Sequence, residues 1–407
     1  MFYSDFTSKA RIHKIIRAHL CKVTKIIATL AKNRNQMTVE RETAGFALPF
    51  AAGTAAAIYA GASSGSVFSH ILTVTALTVF LCLLMSGRHR HCSDETLRIM
   101  IMAAALATGA FCGMTANGLS VSDYGNHGFF TRLGSSFEAS VDRIPFRDLR
   151  TNAFIKAILT GERSGMSPDV TEAFRESGAS HILALSGLHL GVIYMMINRL
   201  LSVIGFTRTA VRTRSLITVT ICGIYTLATG AGPSIVRAFL FITLNEAARL
   251  TGRYRSTGNV LLTALVIQLC ICPESVRTVG FQLSYAAMAG IAFIYPRMKG
   301  LWPENDSVSG ISSAIITKPA SRIWNSTAMS ISCQAATAPL VWIYFRTFPV
   351  HFMLTNLLAL PLTGVIIPSA ALTLMLSMAG ICPDLLVRFT EWLTGLLIGA
   401  LEIIAVM

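Results

Sequence analysis

Ser186 and His189 stand three residues apart in the apolar run HILALSGLHLGVI (181–193), a spacing that puts both on one face of a helix. A hydroxyl beside an imidazole is the start of a nucleophilic dyad, but a hydrolase also needs an acid to orient the histidine. No acid is placed for that role, so the pair reads better as helix packing. Ser186 then bonds its own backbone, a neighbouring helix satisfies His189, and Gly187 with Gly191 forms a GxxxG pair that lets another helix approach. His181, which opens the run, belongs to the same helix-packing signature.

Arg237 poses a different question. In GAGPSIVRAFLF (230–241) it lies four residues past Pro233 in an otherwise apolar helix. A guanidinium inside a membrane costs at least about 2.5–3.5 kcal/mol on insertion scales. Either it snorkels to the outer interface, or it lines an aqueous path and grips phosphate groups. Uncharged polar residues interrupt other apolar runs: Gln282 and Ser284 in VGFQLSY (279–285), Gln334 in SCQAATAPL (332–340) and Asn356 in NLLALP (356–361). With Arg237 they make up the expected lining of a channel. Pro361 and Pro368 predict a broken or re-entrant helix at 351–379, because proline frees backbone groups that something else must satisfy.

The elements that hold these residues are membrane spans. Of 407 residues, 53% are hydrophobic and only 13% are charged, about half the charged fraction of a soluble domain. That excludes an ordinary soluble enzyme, a disordered chain and a disulfide scaffold. Apolar runs near bilayer length fall at 44–60, 66–85, 97–116, 181–204, 215–231, 233–250, 258–272, 278–295, 325–345, 351–379 and 385–406. The fold class is therefore an all-α polytopic membrane protein with about 10–11 transmembrane or re-entrant helices. The nine cysteines form no CxxC pair and read as small core residues, so neither a metal site nor a cofactor is expected.

Charge sets the orientation. There are 34 Lys+Arg against 20 Asp+Glu, a net +14. Residues 1–43 form a basic amphipathic arm suited to an anionic inner leaflet; a basic arm that grips nucleic acid is the less favoured reading. The arm, Arg88/Arg90/Arg98, Arg208/Arg212/Arg214, Arg249/Arg253/Arg255 and Arg297/Lys299 all fall on one side if the spans alternate. The positive-inside rule makes that side cytoplasmic and places 117–180 outside. The chain thus divides into the arm, three spans at 44–116, an outer loop at 117–180 and a channel domain at 181–407. In the outer loop, Ala153, Ile155, Ile158 and Leu159 suggest a helix on the membrane surface ended by Gly161. A second begins near Ser167-Pro168.

The runs LTGERSGMSPDVTEAFRESGASHILALSGLHLGVI (159–193), GAGPSIVRAFLF (230–241), VGFQLSYAAMAG (279–290), QAATAPLVWIYF (334–345) and NLLALPLTGVIIP (356–368) together resemble, in order and spacing, the integral-membrane competence domain of the ComEC DNA-uptake family. The resemblance covers roughly 145–407. It implies a channel that passes single-stranded DNA across the bacterial cytoplasmic membrane during natural transformation. It also implies a separate DNA receptor, nuclease and cytoplasmic ATPase as partners beside the membrane lipids, and it admits a homodimer. Family members commonly carry an OB-fold-like and a metallo-β-lactamase-like domain. The gap at 117–150 is too short for the first, and nothing like the second follows the last span. HRHCSD (89–94) places its aspartate one position too late for an HxHxDH zinc motif. No nuclease or ATPase motif is found, so a transporter rather than an enzyme is expected. The alternatives are a membrane-bound hydrolase or transferase on an envelope substrate, and a family member that transports nothing.

Overall fold

In the computed structural model, residues 41–60, 94–118, 128–183, 185–205, 207–251, 256–301, 311–346 and 351–406 are described. The arm up to residue 40, the span expected at 66–85 and the HRHCSD loop up to residue 93 lie outside them. Among the described residues every regular element is helical. Helix α1 covers 41–59 and α2 covers Asp94–Gly118. There follow α3 (Gly128–Asp142), α4 (Leu149–Thr160), α5 (Pro168–Glu176) and the single turn α6 (Ser180–Leu183). Then come α7 (Gly187–Leu200), α8 (Arg208–Ala228), α9 (Pro233–Leu250) and α10 (Thr257–Ile271). The chain continues through α11 (Val279–Lys299), α12 (Ile311–Phe345), α13 (Phe352–Met378) and α14 (Asp384–Val406).

Local chemistry sets the ends. Asp148 caps α4 by accepting from the Arg150 N–H at 3.0 Å, and Gly161 closes it in the left-handed region at φ 87°. There a side chain would be strained. Proline opens α5 and α9 at a position whose N–H has no helical partner. Thr207, Ser256 and Thr278 cap α8, α10 and α11 with their side-chain oxygens.

The surface is apolar. Leu385, Trp392, Ile403, Trp342, Ile343, Leu216 and Ile271 are all exposed, while Thr218, Thr355, Thr363, Thr390 and Glu246 are buried. Lipid, not water, suits such an exterior. Val279–Lys299, Ser321–Phe345, Phe352–Met378 and Asp384–Val406 are long and apolar enough to cross a membrane, and Ile101–Met114, Gly187–Val203 and Thr257–Ile271 are shorter apolar helices. The molecule is an all-α polytopic membrane protein.

One core joins α3–α9 with α13 and α14, and includes Phe154, Ile158, Phe174, Leu190, Ile235, Ile366 and Leu397. A smaller one links α1, α2, α10 and α11 through Phe50, Ala105, Leu269 and Phe281. Helices α1 and α2 touch backbone to backbone: a Cβ on Gly53 would stand 2.0 Å from the Leu106 carbonyl oxygen.

Three expectations need correction. Residues 181–204 are not one span. The chain stops helically at Leu183, Ser186 takes an extended conformation (φ −121°, ψ 169°), and α7 starts afresh at Gly187. Residues 351–379 are not broken, since α13 runs through Pro361 and Pro368 without interruption. Hydroxyls next to the second proline bond back to the helix (Ser369 to the Ile366 carbonyl at 2.9 Å, Thr373 to that of Ser369 at 2.7 Å). Finally, α4 does not lie on a surface. Phe154, Ile155, Ile158 and Leu159 are at most 1% exposed, because α3, α13 and α14 pack around them.

Candidate functional site

The cap of α7 fixes the chemistry of its first turn. The Ser186 N–H donates to His189 Nδ1 at 3.0 Å, and the Ser186 hydroxyl lies 2.9 Å from the same nitrogen. That hydroxyl oxygen also accepts the Leu188 N–H at 3.2 Å. A nitrogen that accepts a backbone N–H carries no proton, so the imidazole holds its hydrogen on Nε2. His189 is fully buried, and Nε2 has no hydrogen-bond partner among the described residues. The Ser–His contact is thus a capping box and not a nucleophile with its base: the basic nitrogen is already engaged by the backbone, and no carboxylate bonds the other.

Beside this turn stands Arg237. It is only 7% exposed, and it sits in the second turn of α9. Its guanidinium carbon lies 5.6 Å from the centroid of the Tyr285 ring on α11, within cation–π range. Among the described residues its buried Nη1 has no hydrogen-bond partner and no carboxylate pairs with it. A Cβ on Gly187 would come within 3.7 Å of Arg237 Nη2 and 3.3 Å of Ala238 Cβ. The glycine thus lets α7 pack closely on α9 at Ala238, with the guanidinium in ordinary contact distance of the same turn. An unsatisfied buried donor costs about 1–3 kcal/mol, more when charged, so Arg237 Nη1 is an expensive group to hold there.

Uncharged polar groups extend the seam. Ser234 on α9 meets Ser284 on α11 at 3.1 Å. The Tyr285 hydroxyl donates to Gln268 Oε1 at 2.9 Å, and Gln268 Nε2 donates to the Pro233 carbonyl at 3.1 Å. Helices α9, α10 and α11 are thus joined by one run of polar contacts. Ser234, Gln268 and Tyr285 had no signal beyond being polar or aromatic in apolar runs.

The structure divides the other expected residues. Gln282, two residues from Ser284, points to the other side of α11. Its Nε2 donates to the Tyr59 hydroxyl at 3.0 Å and the Val276 carbonyl at 2.9 Å, and its Oε1 accepts from the Tyr344 hydroxyl at 2.8 Å. Gln334 Nε2 on α12 and Asn356 Oδ1 on α13 are buried without partners among the described residues. His181 is exposed and its Nδ1 lies 3.2 Å from the Gly178 carbonyl oxygen. Gly191 has nothing within 4 Å of a Cβ position, so of the GxxxG pair only Gly187 meets a helix.

A second buried cluster has no counterpart in the sequence reading. Glu246 on α9, 3% exposed, accepts from the Tyr194 hydroxyl and the Ser215 hydroxyl, each at 2.5 Å, and from Arg249 Nη2 at 2.9 Å. It ties α7, α8 and α9 together at the end where α8 begins. Among the described residues no group of His, Cys, Asp and Glu could hold a metal ion.

A lipid-facing helical bundle with a polar seam around an unpaired cation defines a class of membrane protein, and the comparisons make it specific. The chain belongs to the Competence protein family, whose model matches residues 158–407. It is 27% identical over 228 residues to ComE operon protein 3 of Bacillus subtilis (strain 168), which covers 56% of this chain and 26% of that protein. It is 26% identical over 148 residues to the uncharacterized protein YcaI of Escherichia coli (strain K12), covering 35% of this chain and 20% of that one. The chain thus spans about a quarter or less of the curated relatives it matches. No solved structure matches it.

Proposed function

We propose that this protein acts in DNA uptake as the cytoplasmic-membrane channel through which single-stranded DNA enters the cell. The observation that carries this reading is Arg237: a nearly buried cation, left without a counter-ion, on a seam otherwise lined by hydroxyls, amides and a tyrosine. A polyanion moving through a bilayer needs fixed positive charge along its path, but little of it, since dense charge would hold the strand in place. Uncharged polar walls tolerate any base. Family membership supplies the context of competence. The positive-inside distribution supports a cytoplasmic N-terminus, with 117–180 outside. A DNA receptor, a nuclease and a cytoplasmic ATPase are its proposed partners.

Arg237→Gln should sharply reduce uptake of labelled DNA at normal membrane abundance. Arg237→Lys should retain part of it, because the charge stays and only the bidentate fork is lost. Unchanged uptake in Arg237→Gln would remove the assignment. The hydrolase alternative is tested by Ser186→Ala: loss of a catalytic turnover at full folded yield would favour it, whereas a channel should tolerate the change, losing only the cap's contribution of about 1 kcal/mol to stability.

A further inference from the structure

We propose that Cys112 and Cys270 form a disulfide on the outer side of the membrane, a covalent clasp between α2 and α10. The inference goes beyond the channel reading and rests only on the orientation proposed above, which puts these ends of both helices outside. The sequence reads the two cysteines as core residues, and they stand 158 positions apart in the chain. The fold brings them together. Cys112 Sγ lies 3.5 Å from the Leu269 carbonyl oxygen and 4.0 Å from that of Cys270, and the two thiols hydrogen-bond each other. Neither is at the middle of its span. Cys112 precedes Met114, the end of an apolar stretch, by two residues, and Cys270 precedes Ile271, the last residue of α10, by one. Charged residues follow at once: Glu274 and Arg277 lie in the next turn, and Arg277 Nη2 donates to the Ile58 carbonyl at the end of α1. Cys270 is exposed and Cys112 half-buried. Disulfides persist in oxidising compartments and are rare in the cytosol, so the same pair facing inward would stay reduced.

The bond needs the sulfurs at about 2.0 Å, an approach from hydrogen-bond contact that rotation about the two Cα–Cβ bonds supplies. The step is thiol–disulfide exchange with a disulfide donor on the outer side. The Cys270 thiol, the more open of the two, gives up its proton and attacks one donor sulfur, and the other donor sulfur leaves and takes up a proton. The Cys112 thiolate then attacks Cys270 Sγ. The Cys112–Cys270 bond forms, and the second donor sulfur leaves as a thiol. Two protein thiols and one donor disulfide thus become one protein disulfide and two donor thiols. What the clasp holds is a small contact. Helices α1 and α2 meet α10 and α11 around Phe50, Ala105, Leu269 and Phe281, and the family's model matches only from residue 158. The bond therefore ties the first helices to the family domain.

The full chain is expressed in growing cells, quenched in acid, blocked with N-ethylmaleimide in denaturant, then reduced and treated with a high-mass maleimide tag. The parent should gain two tags, Cys112→Ser and Cys270→Ser none, and Cys272→Ser two. Peptide mapping without reduction should find the Cys112 and Cys270 peptides joined. In detergent, reduction should lower the thermal midpoint of the parent and leave that of Cys112→Ser where it was. A parent without tags, tags that map to other cysteines, or a parent midpoint that reduction does not move would overturn the proposal. Two causes of failure are told apart with oxidised glutathione. If it closes the bond in the purified parent while cells give no tags, the proposal falls on orientation and the contact stands. If it closes no bond, the proposal falls on geometry.

Discussion

The Tyr194 hydroxyl donates to Glu246 Oε1 across 2.5 Å, joining α7 to α9 through a carboxylate that Ser215 and Arg249 also hold. Both oxygens of this acid face a donor. Removing one member of a buried ion pair costs about 3–5 kcal/mol, far more than the pair is worth against apolar replacements. Glu246→Ala should therefore unfold the α7–α9 unit at markedly lower temperature, whereas Tyr194→Phe should cost only about 1–2 kcal/mol. Thermal unfolding in detergent, followed by size-exclusion chromatography, measures both. Equal effects would mean that the hydroxyl, not the charge, organises the cluster.

Glycines make an opposed pair of tests. A Cβ on Gly290 would stand 2.4 Å from the Ser332 carbonyl oxygen, where α11 crosses α12, whereas one on Gly191 meets nothing within 4 Å. Gly290→Ala should push the helices apart at a cost of about 1–3 kcal/mol. Gly191→Ala should be silent, or slightly stabilising through helix propensity. The same unfolding measurement decides.

The turn after α4 responds to acid. Glu162 accepts the Ser164 N–H at 2.7 Å, and that bond holds its carboxyl below the ordinary value of 4.5. A depressed carboxyl contributes order that is present above 4.5 and lost as pH falls through the lower folded value. Because Glu162 lies at the surface, the effect is local. A spin label at Arg163→Cys, with the native cysteines replaced, should gain mobility only below pH 4.5. The same label in Glu162→Gln should show no such step.

Orientation is open to a direct test. Cysteines placed at Arg163 and Arg212, in the same background, should react with a membrane-impermeant maleimide from opposite sides of intact cells. Position 163 should label from outside, and position 212 only after permeabilisation. The reverse result would invert the topology proposed here.

Much of the architecture was legible because its signals are local. Pro168 and Pro233 mark helix starts and Gly161 a helix end, each through backbone geometry that a single residue dictates. Lipid exposure was legible from composition. The break before α7 was not, because Ser186 interrupts an apolar run without changing its polarity, and only its extended conformation reveals a cap. Arg237 could be singled out from the cost of its charge, but its place against Gly187 and Tyr285 depends on three helices meeting. The Glu246 cluster draws on residues 194, 215, 246 and 249, and no local pattern joins them. Gln282 and Ser284 carry a simpler lesson: two residues apart is about 200° on a helix, so they cannot line the same wall. The π turn at Gly290–Ile294 adds a further rotation and blurs the period of the second half of α11.

The last helix closes on the first part of the core. Glu391 on α14 accepts the backbone N–H groups of Arg147 and Asp148, Glu402 pairs with Arg150 at 3.6 Å, and Leu397 and Leu401 share a core with Phe154 and Ile158. These partners are separated by more than 240 residues of chain. At bacterial rates of translation, α4 leaves the ribosome on the order of ten seconds to a minute before α14 exists. Through that interval the part of its buried face that α14 covers has no protein on it, and the hydrocarbon of the bilayer is the solvent in which it can wait. The core is thus sealed late, and any nascent chain halted before α14 leaves the side of α4 that α14 covers facing lipid.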